Sequence, residues 1–277
     1  MSGIQFNLGQ VPETLLLPLW GRAELTRAGS PILQDRVAAE IIDKLDYDFS
    51  KVRGDLDYSK NLSWLARARQ FDDIIRAFLS RSPEATVVNL GAGLDTTSAR
   101  VDNGTLRWFD LDLPEVIEVR KSLIPETSRS KCIAASLLDH EWMAQVASAP
   151  QRLLFVAGGV LFYFSESALV DLFRAMGRRF PGAEIVFDAM TPAGVKKANG
   201  MLRKVGMEGA VMRWGLTDAR VLESWQANVE LLDQFEYFRG LDLRGIPLKT
   251  RVMTIANRLL RVMTIVHCRW RSAPAVA

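Results

Sequence analysis

Gly91-Ala92-Gly93 and, further along, the carboxylates Asp110 and Asp112 are the residues whose types and spacing could do chemistry in this sequence. The glycines follow Val87, Val88 and Leu90, a short apolar run rich in β-branched residues that reads as a buried strand. Glycine at such a turn accepts positive φ and lets a ligand lie against bare backbone. Asp95, Thr96, Thr97 or Ser98 can then cap a following helix. A second strand reads from Leu106 to Asp112 and ends in carboxylates before Leu113-Pro114. A glycine turn after one strand, with an acid at the end of the next about 20 residues on, suits an adenosine ribose. The expectation is a nucleoside-cofactor site.

A dinucleotide turn wants a third glycine, where helix packs on strand beside a pyrophosphate. Here Gly93 is followed by Leu94, Asp95 and Thr96, so that glycine is absent. Asp95 would also set a negative charge near a pyrophosphate. The same charge suits the sulfonium and ammonium of S-adenosyl-L-methionine.

The elements that must position these residues alternate along the chain. Trp64 to Ser80 carries Ala68, Phe71, Ile74, Ile75 and Phe78 on one helical face. Further strands read over Lys131–Ala134, Arg152–Ala157 and Ala183–Asp188, with helices over Pro114–Leu123 and Ser165–Phe180. The Pro114 helix is expected to carry Glu115, Glu118, Arg120 and Lys121 outward. Leu231–Phe238 and Met263–Trp270 complete a mostly parallel seven-stranded sheet flanked by helices, in the doubly wound α/β pattern. Residues 1–60 break this rhythm. Val37, Ile41, Ile42 and Leu45 share a helical face there, started by Pro31 and Asp35, and 46–58 reads as loop or short helices. The division is an N-terminal helical cap over 1–60 and a cofactor-binding domain over 61–277, with glycine-punctuated 191–220 as a lid insert. Trp214 in that insert either touches an aromatic acceptor or packs in the core. Arg-Val-Met-Thr-Ile, repeated at 251 and 261, is too short to be a structural repeat.

Val87-Val-Asn-Leu-Gly-Ala-Gly-Leu-Asp-Thr-Thr97 closely resembles the first motif of the leucine carboxyl methyltransferase family, which includes polyketide carboxyl methyltransferases of the tetracenomycin type. Leu65-Ala-Arg67, Trp108-Phe-Asp-Leu-Asp-Leu-Pro114 and Gly159-Val-Leu-Phe-Tyr163 match in order, and Glu13 to Ala23 looks like the polyketide branch. The resemblance covers most of the chain. It implies a Rossmann-like class I methyltransferase fold, with S-adenosyl-L-methionine as donor and S-adenosyl-L-homocysteine as product. On that reading Gly91, Ala92, Gly93, Asp95, Asp110, Asp112 and Leu113 surround the donor. Arg67 pairs with its carboxylate, with Arg22 a second candidate and Arg69 a local competitor; the N-terminal part caps the donor and lines the acceptor pocket. Two positions depart from the family. Ser136 stands where relatives commonly carry an aspartate for adenine, leaving the hydroxyl and the Leu137 backbone to bind it. Gly158 replaces an acid that would bond the donor ammonium. Tyr163 is the candidate catalytic residue facing the acceptor, or else a core tyrosine.

Hydrophobic residues make up 48% of the 277 and charged residues 24%, which suits a globular α/β domain rather than disorder. A net charge of +3 does not imply nucleic acid. Cys132 and Cys268 suggest neither a disulfide framework nor metal spacing, and no metal is expected. The apolar run Leu153–Phe164 falls short of a bilayer span, and the N-terminus lacks a signal-peptide pattern, so the expectation is a cytoplasmic protein without membrane. Monomer and homodimer both stay open. Residues 243–277 hold arginines and no acid, a basic end that could attract an anionic acceptor. A carboxylate acceptor is already ionised at neutral pH, whereas a phenol benefits from a base. Neither His140 nor His267 falls at a cofactor-facing strand end, although Asp188 or Tyr163 could assist a hydroxyl. The reading is therefore methylation of a small natural-product carboxylic acid to its ester. The rivals are a phenol or hydroxyl O-methyltransferase, a nicotinamide oxidoreductase, and a non-catalytic binding protein.

Overall fold

The computed structural model describes residues 15–49, 58–147, 152–204 and 209–272. Seven strands form one sheet in the order β3-β2-β1-β4-β5-β7-β6. They are β1 Thr86–Leu90, β2 Arg107–Asp112, β3 Ser130–Ala134, β4 Leu153–Ala157, β5 Glu184–Met190, β6 Val229–Glu236 and β7 Met263–Trp270. β1 to β5 run parallel, and β7 is antiparallel to both β5 and β6. Every residue of β1 and β5 is buried, as near-continuous apolar runs require when both sheet faces are covered.

Nine helices frame the described part: α1 Leu16–Arg27, α2 Arg36–Lys44, α3 Tyr58–Arg81, α4 Thr97–Val101, α5 Pro114–Leu123, α6 Trp142–Ala147, α7 Glu166–Arg179, α8 Pro192–Lys204 and α9 Leu248–Leu260. One sheet face packs Phe155, Phe173 and Phe187 with Trp142, Trp225 and Trp270. Trp270 meets Phe155 at 5.9 Å and Phe173 at 5.7 Å between ring centroids. The other face packs Phe71, Ile75 and Phe78 of α3 against β1 and β4.

Several boundaries differ from the sequence reading. α3 begins at Tyr58, so it crosses the position at which cap and domain divide, and most of 46–58 lies outside the described residues. α1 had no periodic signal, because Trp20, Gly21, Arg22 and Ala23 are all buried. Pro18 is tolerated in its first turn, where backbone N–H groups lack helical partners anyway. A Cβ at Gly21 would stand 2.6 Å from the Trp64 ring, so glycine lets α1 close on α3. Asp35 caps α2 as expected, its carboxylate accepting from Ala38 N–H at 3.1 Å. Ser165 likewise caps α7 through Ala168 N–H.

The 191–220 stretch contains α8 and an extended run that returns along the sheet end. There Trp214 is buried, 6.2 Å from Phe187 and 5.9 Å from Trp225. It is a core residue. Unanticipated too is α9, which contains the first Arg-Val-Met-Thr-Ile copy; Arg261 then turns left-handed at φ 46° and the second copy enters β7. Among the described residues no helix is long and apolar enough to cross a membrane.

Candidate cofactor and acceptor site

β1 stops at Leu90 because the chain turns left-handed at Gly91 (φ 65°) and Gly93 (φ 46°). A Cβ on Gly91 would lie 2.5 Å from a Val160 methyl carbon, so this turn depends on glycine. The turn is fastened to β2: Ala92 N–H donates to Leu111 C=O at 3.0 Å. Asp112 Oδ2 accepts from Gly93 N–H at 2.7 Å, while Oδ1 accepts from Leu113 N–H at 2.8 Å. Burial pushes the Asp112 pKa up against these two donors, and the net direction is upward. Leu15 stands over the turn, 3.0 Å from where a Gly93 Cβ would be.

Arg120 locks the same turn from behind. Its Nη1 donates to Gly93 C=O at 3.0 Å and Asp95 C=O at 2.8 Å, and its Nη2 donates to Asp110 Oδ2 at 2.7 Å. The expectation of an outward Arg120 is therefore wrong: it is 1% exposed. A signal existed, since Val116, Ile117, Arg120 and Leu123 follow the spacing of one buried face. Asp110 is also corrected. Buried, it receives Asn89 Nδ2 at 3.1 Å, Trp108 Nε1 at 2.8 Å and Arg120, and so braces the turn instead of facing a ligand.

Asp95 accepts from the Thr97 hydroxyl at 3.1 Å and from Asn89 at 3.3 Å. Burial raises its pKa, but Arg100 and Arg22 outweigh that and hold it low. Arg22 is spent elsewhere: its Nε donates to Asp35 at 2.8 Å, and its Nη2 stays 3.9 Å from Asp95. Asp35 also accepts from Thr96 at 2.6 Å and Arg100 at 2.8 Å, and Arg100 reaches Asp72 at 2.9 Å. This buried network ties α2 and α3 to the start of α4. Sequence reasoning found Asp35 only as a helix start and missed Arg100 and Asp72, whose partners lie far away in the chain.

A second cluster lies at the ends of β4 and β5. Asp188 Oδ1 accepts from Gly159 N–H at 2.6 Å. Its Oδ2 accepts from Arg67 Nη1 at 3.0 Å and from the Tyr237 hydroxyl at 2.6 Å. Burial lowers the Arg67 pKa, but Asp188 outweighs that and the guanidinium is held charged. Burial and the adjacent Asp188 push the Tyr237 phenol well above its ordinary value. Tyr237 carried no sequence signal beyond its place in an apolar strand. Gly159 has φ 82°, and a Cβ there would be 2.6 Å from Arg67 Nη1, so the guanidinium lies directly on its backbone. Gly158 is shielded by Phe71, 2.7 Å from its virtual Cβ. Tyr163 ends the 3₁₀ turn Leu161–Tyr163 that follows, partly exposed, with its ring 5.0 Å from Phe162.

On the far side Ser136 Oγ accepts from Leu138 N–H at 3.3 Å. Leu137 is buried, and its carbonyl accepts from Trp142 Nε1 at 3.2 Å. Arg69 is tied to Asp73 at 2.7 Å and to Ile32 C=O, turned away from Asp188. Among the described residues no group of acids, histidines and cysteines could hold a metal ion.

The leucine carboxyl methyltransferase family model matches residues 16–177, which include the glycine turn, Arg67 and Asp112. The chain belongs to this family. It is 33% identical over 94% of its length to the tetracenomycin polyketide synthesis O-methyltransferase TcmP of Streptomyces glaucescens, covering 98% of that protein. It is 28% identical to the S-adenosyl-L-methionine-dependent methyltransferase dpfgK of Gibberella zeae over 81% of this chain and 83% of the other. Its fold resembles a DUF574-family protein of Streptomyces avermitilis at a TM-score of 0.56 and 14% identity, covering 90% of this chain and 96% of that one. An O-methyltransferase family protein of Burkholderia thailandensis gives 0.50 at 15% identity, covering 94% and 73%.

This leucine carboxyl methyltransferase family member is thus an S-adenosyl-L-methionine-dependent enzyme with the Rossmann-like class I fold. The residues present fit that donor. The positive-φ glycines leave backbone bare at the end of β1, and a carboxylate closes the end of β2.

Proposed function

We propose that this enzyme methylates a carboxylate of a small, polyketide-like acid. The observation that carries the reading is the saturation of Asp188. The acid at the end of β5 already accepts from Arg67, Tyr237 and Gly159, so it is not a free base. The two histidines are placed elsewhere. His267 bonds Glu184 at 2.8 Å at the opposite end of β5, and His140 is exposed in the turn after β3. An acceptor that is ionised before it arrives suits such a site.

The bound donor supplies an electrophilic methyl group that would pass to a carboxylate oxygen, with the C–S bond exchanged for a C–O bond to leave a neutral thioether and a neutral ester. The chain's own task is to orient the two partners in line and to exclude water. Asp112 is assigned to the ribose hydroxyls, Gly91, Ala92 and Gly93 to the close backbone approach, and Leu113 to the adenine edge with Ser136 and Leu137. Asp95 faces the donor's positive groups, and Gly158, packed under Phe71, contributes backbone rather than an acid beside the reacting methyl. Arg67 offers the donors that Asp188 leaves over to the amino-acid carboxylate, whereas Arg22 is engaged by Asp35. Tyr163 orients the acceptor. α1 and α2 cap the donor, consistent with Leu15 over Gly93.

The test is a panel of aromatic carboxylic acids and matched phenols, incubated with S-adenosyl-L-methionine and read by mass spectrometry. Methyl esters, formed at a rate flat between about pH 6 and pH 8, are the expected result, since a carboxylate is ionised throughout that range. Methyl ethers, formed with a rate that climbs near pH 7, would overturn it in favour of a hydroxyl acceptor.

A further inference from the structure

A cavity of about 310 Å³ lies beyond the end of β5 and draws none of its walls from the glycine turn. It runs between α8 and the extended 211–216 segment, and Pro192, Val195, Lys196, Arg203 and Arg213 line it with Gly215. The walls are fastened. Asn199 of α8 donates to Met212 C=O at 2.8 Å and accepts from Met212 N–H at 2.9 Å. Arg213 and Trp214 N–H both donate to Phe162 C=O, at 2.7 and 3.1 Å, and Leu216 N–H donates to Met190 C=O at 2.7 Å. A Cβ on Gly215 would be 2.8 Å from the Pro192 backbone, so only glycine lets the segment press so closely on α8. The groove therefore adjoins both the Leu161–Tyr163 turn and the end of β5.

Lys196, Arg203 and Arg213 bring three cations to this one groove, and none pairs with an acid among the described residues. All three are exposed, and together they give the groove a positive potential that favours a bound anion. A guanidinium and an ammonium lining one groove suit a carboxylate, which can accept from both. Val195 and Pro192 add apolar wall for a flat hydrocarbon body.

We infer that this groove seats a second acidic group of the methyl acceptor, so that the preferred substrate is an aromatic or polyketide-like molecule with two anionic groups. One group is held by Lys196 and Arg213, and the other is left to meet the methyl donor. This rests on the carboxylate-acceptor reading above, and direct binding separates the two.

The experiment is calorimetric titration of naphthalene-2,6-dicarboxylate and of 2-naphthoate into the protein with S-adenosyl-L-homocysteine, using wild type and the Lys196→Gln/Arg213→Gln double variant. Arg251→Gln, which removes an exposed charge that does not line the groove, serves as a control. The expected result is a dicarboxylate preference of about tenfold or more in wild type and in Arg251→Gln, lost in the double variant with unchanged melting temperature. Equal affinity for the two probes, absent dicarboxylate binding, or a preference that survives in the double variant overturns the inference. Mass spectrometry of the same mixtures with S-adenosyl-L-methionine reports the chemistry separately. A retained preference without ester formation leaves the groove standing and removes the carboxylate-acceptor reading.

Discussion

Asp188 and Arg67 stand 121 residues apart in sequence and meet at 3.0 Å, joining the end of β5 to α3 across the site. The pair is not a surface ion pair: Asp188 is buried, and the Tyr237 hydroxyl and Gly159 N–H complete its shell. Breaking a buried pair from one side leaves an uncompensated charge, which costs about 3–5 kcal/mol. Asp188→Ala should therefore unfold at markedly lower urea concentration than wild type. Arg67→Ala leaves Asp188 two of its donors and should cost less stability, while weakening S-adenosyl-L-methionine binding by at least about tenfold, the loss of one charge-assisted contact. Calorimetry and urea titration on both variants check this; full donor affinity in Arg67→Ala would sink its assignment.

Asp112→Ala removes the acceptor for Gly93 and Leu113 N–H and the assigned ribose contact together. Arg120→Ala removes only the brace behind the turn. Both should weaken donor binding. Only Arg120→Ala should also lose about 3 kcal/mol or more of stability, because it strands buried Asp110. Equal melting temperatures for the two variants would contradict this division.

Asp35 carries a pH signature. Burial pushes its pKa up, but the guanidinium groups of Arg22 and Arg100 and the Thr96 hydroxyl outweigh it and hold the pKa at about 2, below the ordinary 3.8. A pKa lowered on folding adds stability that is fully present above the unfolded value and lost as pH falls through the folded one. The difference is worth roughly 2 kcal/mol. Wild type should lose that much more stability than Asp35→Asn between about pH 5 and pH 2, measured by denaturant titration at each pH. Parallel curves would refute it.

The two thiols should separate cleanly. Burial pushes Cys268 up to about 12, whereas Cys132 is only half-buried and raised less. A thiol reagent at pH 8 should modify Cys132 slowly and reach Cys268 only after denaturation. Rapid modification of both in the native protein would show that β7 opens readily.

The sheet was legible because its strands are short apolar runs that differ from their flanks, and all seven lie within two residues of where the sequence puts them. The glycine turn and Asp112 were legible because their chemistry demands particular residues. Asp110 and Arg120 were misread for related reasons: an acid beside a ligand turn looks the same in sequence whether it faces the ligand or braces the backbone, and a helix arginine looks the same whether it is solvated or buried against an acid. Only a partner decides, and Asp110 finds Arg120 on the next helix. The pentapeptide Arg-Val-Met-Thr-Ile makes the limit plain, since one copy is helical in α9 and the other leads into β7. Local preference cannot distinguish identical segments; β5 and β6, which pair with the second copy, do so.

β7 follows every other strand in the chain, yet it lies inside the sheet, paired on one side with β5 and on the other with β6. Until residues near 270 have left the ribosome, β5 shows a bare edge and β6 has no neighbour at all. Domains emerge N-terminal part first, at about 5–20 residues per second, so the nascent protein carries an open, mostly apolar strand edge for the time taken to make everything from β5 to β7. The order of synthesis thus makes β5 the point at which a growing chain is most exposed to mispairing, and a chaperone that shields it would do most for its yield.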